Sequence, residues 1–177
     1  MLDIFKMVAI TIADKSLDRP ALQGLLIEFY ELQRNRLPPE VKQKITIEEV
    51  TQDFWNDLDE YFAPNGCIAL AHDDDGALIG CGMMRKVRPD AAEFKRMYVR
   101  PAGRGHGIGR KLIAARMAEA RKLGLTPILA DTLKASTTMH GIYRDLGFQQ
   151  IEKYPESHTA DHFPVVADQL IYFQMDL

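Results

Sequence analysis

The segment Arg104-Gly105-His106-Gly107-Ile108-Gly109-Arg110-Lys111 places glycine at alternate positions between a strand pattern and a helix pattern. Glycine lets the backbone turn sharply and lets a ligand approach the amides closely. The first amides of a helix have no intrahelical acceptor and sit at the positive end of its dipole. A phosphate or pyrophosphate satisfies them. Two nucleotide motifs fail here by register. No Gly-x-x-x-x-Gly-Lys-Ser/Thr spacing exists, and Gly-x-Gly-x-x-Gly would need glycine at 108 or 110, which hold Ile and Arg. A second candidate is the pair His158 and His162, with Asp161 between. An i, i+4 pair on a helix can hold a metal ion. Here Pro155 and Pro164 bracket the stretch as a loop, and no glutamate is placed as in metalloproteases, so the expectation is no metal. Cys67 and Cys81 fall in adjacent expected strands and read as small buried hydrophobes rather than nucleophiles.

The elements that must position these residues follow from periodicity. Residues 5–13 alternate as a strand through Val8, Ile10 and Ile12. Ser16 or Asp18 can cap a helix with Pro20 in its first turn and Leu22, Leu25, Leu26, Phe29 and Leu32 on its apolar face, ended by Pro38-Pro39. A second helix is expected from Ile47 to Phe62. Residues 67–71, 77–87 and 92–99 form an antiparallel meander whose first turn is Asp73-Asp74-Asp75-Gly76, a solvated tip. A helix over 107–123 has an imperfect apolar face, because Arg116 and Glu119 fall near the stripe of Leu112, Ile113, Ala120 and Leu123. A strand over 127–132, a helix over 136–146 and strands over 148–153 and 165–177 complete the chain. The expected architecture is α+β: a single mixed, mostly antiparallel sheet of seven strands flanked by four helices. The strand–helix–strand unit over 92–132 requires one parallel pair and a right-handed crossover.

The chain has 177 residues, which suits one domain over its whole length. Its formal net charge of −3 argues against a dedicated nucleic-acid binder. Two cysteines cannot form a disulfide scaffold. No apolar run approaches the ~20 residues of a membrane span, and the first residues lack the pattern of a signal peptide. The expected location is the cytoplasm.

Arg-x-x-Gly-x-Gly at Arg104, Gly107 and Gly109, preceded by Lys95-Arg96-Met97-Tyr98-Val99-Arg100-Pro101, resembles the acetyl-CoA loop of the GNAT N-acetyltransferase superfamily. Downstream, Leu129-Ala130-Asp131-Thr132-Leu133 looks like that family's fifth strand, and Ile142-Tyr143-Arg144-Asp145-Leu146-Gly147-Phe148 resembles its Leu-Tyr-x-x-x-Gly-Phe signature. The match covers residues 66–177; over 1–65 it is topological.

The resemblance implies an enzyme that moves an acetyl group from acetyl-CoA to a primary amine by direct attack in a ternary complex. It assigns the pyrophosphate to backbone amides at Arg104, Gly105, His106, Gly107, Ile108, Gly109 and Arg110. It assigns the pantetheine arm to Met97, Tyr98 and Val99, with the Met97 amide as oxyanion donor. Glu93, eleven residues before Arg104, matches a catalytic glutamate, and Tyr143 matches the tyrosine that protonates the leaving thiolate. Many relatives carry Asn where this chain has Ser136, so the cofactor contact there would be shorter. The loop holding His158 and His162 would border the acceptor, and His106 would be solvated; Trp55 reads as helix packing, although it falls in the region where this family builds acceptor pockets. The implied partners are acetyl-CoA and an amine on a small molecule, peptide or protein, with no metal, nucleic acid or membrane; a homodimer is left open. The competing readings are a non-catalytic acyl-CoA-binding regulatory module and a nucleotide-binding protein, the latter disfavoured by the failed registers.

Overall fold

A computed structural model describes residues 8–177. The start of the expected first strand, residues 5–7, lies outside the described residues; Ala9–Ile12 forms β1. Asp18 caps α1 (Arg19–Asn35) by accepting from the Ala21 amide at 3.0 Å, with Pro20 in the first turn. Its buried face carries Leu22, Leu25 and Leu26. Pro38-Pro39 does more than end α1. Proline suits a first helical position, and Pro39 opens the short α2 (Pro39–Lys42). A capping box of Thr46 and Glu49 starts α3 (Ile47–Asn56). This helix ends earlier than its periodicity predicts: after Asp57 the chain tightens into a 3-10 turn, Leu58–Tyr61, which still buries Leu58 and Tyr61.

The meander is β2 (Gly66–His72), β3 (Leu78–Arg88) and β4 (Ala91–Val99). Then come α4 (Ile108–Lys122), β5 (Ile128–Leu133), α5 (Thr137–Asp145), β6 (Gln149–Ile151), α6 (His158–His162) and β7 (Leu170–Met175). The seven strands make one sheet in the order β1-β2-β3-β4-β5-β7-β6. Among the described residues only β4 and β5 run parallel, joined through α4. Leu22, Leu26, Phe54, Ile68 and Met83 form the core under α1 and α3. Phe94, Ile113, Ala130, Tyr143 and Phe173 form the core under α4 and α5.

Three parallel pairs hold β4 to β5: Ala92 with Ile128, Glu93 with Leu129, and Phe94 with Ala130. Beyond them the strands part. On its other side β4 stays paired with β3, but through a bulge. Met83 faces Lys95 and Cys81 faces Tyr98, so Gly82 alone opposes both Arg96 and Met97. Arg96 adopts a left-handed φ of 49°, unusual for a residue with a side chain.

Arg116 explains both the bulge's support and the flaw in the apolar face of α4. It is 0% exposed. Its Nη1 donates to the Met83 carbonyl at 3.0 Å, Nε to the Leu112 carbonyl at 3.2 Å, and Nη2 to the Met97 sulfur at 3.4 Å. The guanidinium lies 4.2 Å from the Phe94 ring centroid. It fills the space that Gly82 leaves open beneath the bulge.

A methyl group at position 82 would stand 2.8 Å from Arg116 Nε and 2.9 Å from Cζ. The guanidinium is enclosed and bonded, so it cannot swing aside. Gly82→Ala is expected to destabilise the fold by about 1–3 kcal/mol, as overpacking does. The check is chemical denaturation: a lower midpoint at an unchanged slope. An unchanged midpoint would show that the wedge yields.

Candidate active site

Where β4 and β5 part, a cavity of about 480 Å³ opens. Its one end is the glycine loop, through Gly103–Gly105 and Gly107–Arg110. Its middle is the stretch from Phe94 to Val99 facing Asp131, Thr132 and Leu133. Its other end is built by Asp53 of α3, His158 and Thr159 of α6, and Phe163.

The loop obeys the glycine logic of the sequence. Gly105 and Gly107 have φ of 82° and 72°, a region that side chains resist. Gly107 is the residue that begins α4, no side chain caps that helix, and its first turn carries no acidic group. The helix N-terminus therefore presents its amides and dipole toward the cavity with no acidic side chain of its own first turn against them. Ile108, 1% exposed, anchors the turn in the core. Arg104 folds back, donating from Nε to the Val99 carbonyl at 2.9 Å with its guanidinium 5.7 Å from the Tyr98 ring centroid. Arg110 pairs with Asp145 at 2.7 Å.

Of the residues expected at the cofactor, Met97, Tyr98, Val99, Arg104, Gly105, Gly107, Ile108, Gly109, Arg110 and Ser136 all line this cavity. His106 is exposed and is not part of the lining. Ser136 is buried and already engaged: it accepts from Arg36 Nη1 at 2.9 Å and donates to Gln33 Oε1 at 3.3 Å. The arm reaching the cavity beside it is Arg36, whose pKa is lowered by burial and by the nearby charge of Arg104.

Tyr143 also lines the cavity. Its ring packs against Phe148 and Phe173, with centroids 4.7 and 5.4 Å away. Burial pushes its hydroxyl up to about 12, against the opposing field of Arg116. At neutral pH it holds its proton and can donate it.

Glu93 does not line the cavity. Its carboxylate is 0% exposed and fully engaged. It accepts from Arg85 Nε at 2.9 Å, from the Tyr154 hydroxyl at 2.7 Å and from the His158 amide at 3.3 Å. This geometry makes it a tie between β4 and the β6–β7 connection. It reaches the cavity wall through the His158 amide and through Lys95, whose Nζ lies 3.7 Å from Oε1.

Sequence reasoning passed over the polar wall beside it. Lys95 bridges the parted strands to Asp131 at 3.0 Å and also donates to Thr159, while Ser157 donates to Asp131 at 2.8 Å. The stretch around His158 was expected as a loop. It is instead α6, because Ser157 caps it by accepting from the Ala160 amide at 3.4 Å. Buried His158 meets Asp57 at 3.1 Å, and exposed His162 meets Asp53 at 2.6 Å. His158 is held far below the usual histidine range, first by burial and then by the charges of Lys95, Arg96 and Arg85. Trp55 packs against α1, as expected: its indole donates to Gln23 and Arg19 lies over its ring. Cys67 and Cys81 are buried as expected, their thiols pushed up to about 12 by that burial, which suits packing and not nucleophilic attack.

Comparison with known proteins follows this geometry. The family model described as acetyltransferase (GNAT) family matches residues 26–148. An uncharacterised N-acetyltransferase of Schizosaccharomyces pombe is 31% identical over 111 residues, covering 62% of this chain and 68% of that protein. A GNAT-family acetyltransferase structure from Staphylococcus aureus superposes with a TM-score of 0.74 at 19% identity, covering 97% of this chain and 99% of that one. A GNAT acetyltransferase structure from Elizabethkingia anophelis, solved with acetyl-CoA bound, gives a TM-score of 0.64 at 18% identity, covering 96% and 98%. With a seven-stranded sheet parted at its single parallel pair, a glycine-built helix N-terminus at the opening, and a family match over most of its length, the chain is an acyltransferase and belongs to the GNAT acetyltransferase family.

Proposed function

We propose that this chain transfers the acetyl group of acetyl-CoA to a primary amine by direct attack while both substrates are bound. The observation that carries the reading is the continuity of one cavity. It runs from the glycine loop, past the parted strands, to the polar wall between α3 and α6. Both substrates can therefore occupy it together, and no covalent carrier on the protein is required. The two thiols are buried and held protonated, so neither supports an acyl-enzyme route.

The residues take separate roles in this reading. The amides from Ile108 to Arg110 hold the pyrophosphate. The edge of β4 from Met97 to Val99 aligns the pantetheine arm, and the Met97 amide stabilises the carbonyl oxygen as it gains charge. Tyr143 gives its proton to the departing thiolate. The amine, with an ordinary pKa near ~10.4, must also lose a proton before it attacks. That proton passes to water in the cavity, because Glu93 stands behind the wall and offers no direct contact.

The loop assignment is tested by Gly107→Glu. The new carboxylate would stand at the helix N-terminus where phosphate binds. Acetyl-CoA binding should vanish in calorimetry while circular dichroism shows an intact fold. Unchanged affinity in a folded variant would remove the loop from the cofactor site.

Tyr143→Phe keeps the ring and its stacking but loses the hydroxyl. Turnover should fall ~10²-fold with acetyl-CoA affinity nearly unchanged, the pattern of a lost transition-state interaction. An unchanged kcat would leave Tyr143 as packing alone.

Glu93→Gln separates two proton routes. With water as the acceptor, the main effect is on stability: the amide cannot keep the charge-assisted bonds to Arg85 and Tyr154, and the melting temperature falls. The kcat per folded molecule at neutral pH should fall less than ~10-fold. A ~10²-fold loss at neutral pH that shrinks toward the amine's own pKa would instead make Glu93 the base.

A further inference from the structure

Asp53 and Asp57 stand one turn apart, at the end of α3 and its C-terminal cap, and His158 and His162 stand one turn apart on α6. The two helix ends face each other, so the pairs meet. One ligand atom from each residue falls within 4.8 Å of all the others. His162 Nδ1 lies 2.6 Å from Asp53 Oδ1, and His158 Nε2 lies 3.1 Å from Asp57 Oδ2 and 3.6 Å from Asp53 Oδ2. Four ligands placed tetrahedrally ~2.0–2.1 Å from a zinc ion are separated by about 3.3 Å. The observed spacings bracket that value, so small side-chain rotations would close the shell.

We propose that Asp53, Asp57, His158 and His162 form a binding site for one divalent transition-metal ion of the zinc class. Two imidazole nitrogens with two carboxylate oxygens suit such an ion. Calcium and magnesium favour all-oxygen shells instead. The two rings lie with centroids 3.9 Å apart and planes tilted by 37°, and each has a nitrogen beside the acidic pair. A shallow groove lined by Glu48, Glu49, Gln52 and Asn56 reaches Asp53 and His162 from outside, giving an ion a negatively charged route in. The surrounding charge is mixed. Arg96 Nη2 approaches Asp53 Oδ2 at 3.4 Å, and Lys95 and Arg85 add positive charge near His158. Asp53 Oδ1 contacts His162 Nδ1 at 2.6 Å, a contact the ion would replace, and the two carboxylates offset a dication's charge.

A bound ion would clip α6 to α3. Asp53 and His158 also line the main cavity, so the clip would fix the wall opposite the glycine loop. This inference does not rest on the proposed acetyl transfer.

The test uses the full chain after chelator treatment and exchange into metal-free buffer. Zn²⁺ is titrated by calorimetry, and Co²⁺ is titrated while watching for the visible absorption of a tetrahedral complex. The wild type should bind one ion per chain, and Zn²⁺ should raise its melting temperature. His162→Ala, at a side chain 43% exposed, should weaken Zn²⁺ binding at least ~10-fold and abolish the thermal shift. Asp57→Asn should do the same, so a folding defect in either variant still leaves a reading from the other. Acetyl-CoA affinity, measured on the same samples, should be unchanged by His162→Ala. No saturable Zn²⁺ binding to the wild type would overturn the proposal. So would binding that survives both substitutions, since the ion would then sit elsewhere.

Discussion

Everything in this molecule depends on the parting of β4 from β5 after Phe94 and Ala130. Two adjacent parallel strands would normally stay paired, because a separated edge leaves backbone groups without partners. Here the bulge at Arg96 and Met97 bends β4 away while its other edge keeps β3. A left-handed side-chain residue costs about 1–3 kcal/mol. Arg96 offsets that cost through its side chain: Nε donates to the Tyr30 hydroxyl at 2.6 Å, and Nη1 donates to the Tyr61 hydroxyl. Hydrogen bonds from a charged group contribute about 1.5–3 kcal/mol each. The backbone of the active site is thus set by tyrosines on α1 and in the turn after α3, elements that contribute little to the loop chemistry.

Buried charge does the rest of the positioning, and each charge is placed differently. Lys95 and Asp131 span the widening gap between the strands as a direct pair. Glu93 and Arg85 bind β4 and β3 to the β6–β7 connection behind the cavity. Arg116 makes its hydrogen bonds to two backbone carbonyls and a thioether, and it rests on the face of Phe94. Burial lowers its pKa, so the protein keeps a partly compensated cation directly beneath the bulge. Its field also opposes the upward shift of Tyr143. One residue therefore supports the β4 backbone and tunes the phenol that faces the same cavity.

The succession of elements along the chain, the parallel pair and the glycine loop were legible in the sequence, because each rests on local signals; the place of β7 between β5 and β6 was not. Alternation marks strands, and Gly105 and Gly107 mark positive φ at the start of a helix. Asp18 as a cap and Gly147 as a stop were equally local. What escaped was set by distant contacts. Arg116 looked like a flaw in an apolar stripe, since nothing near it in sequence reveals Gly82 opposite. Glu93 matched a motif offset, but its three donors come from β3, Tyr154 and His158, and they engage its carboxylate behind the lining residues. Residues 158–162 read as a loop because flanking prolines outweigh a five-residue helix whose cap, Ser157, is a single side chain.

The two ends of the cavity therefore differ in kind. The glycine-loop end is built from backbone, so its chemistry tolerates change in most side chains but not in the glycines that set its φ angles. The opposite end is built from side chains on α3 and α6, about one hundred residues apart in the chain. Substitutions there can reshape what the wall recognises without disturbing the bulge, the loop or the sheet. In the proposed reading, a carrier site fixed by backbone geometry and an acceptor wall left to side chains would keep one chemistry while changing what it acts on. The Asp–His cluster belongs to the side-chain-built wall, which is why the glycine register gave no hint of it.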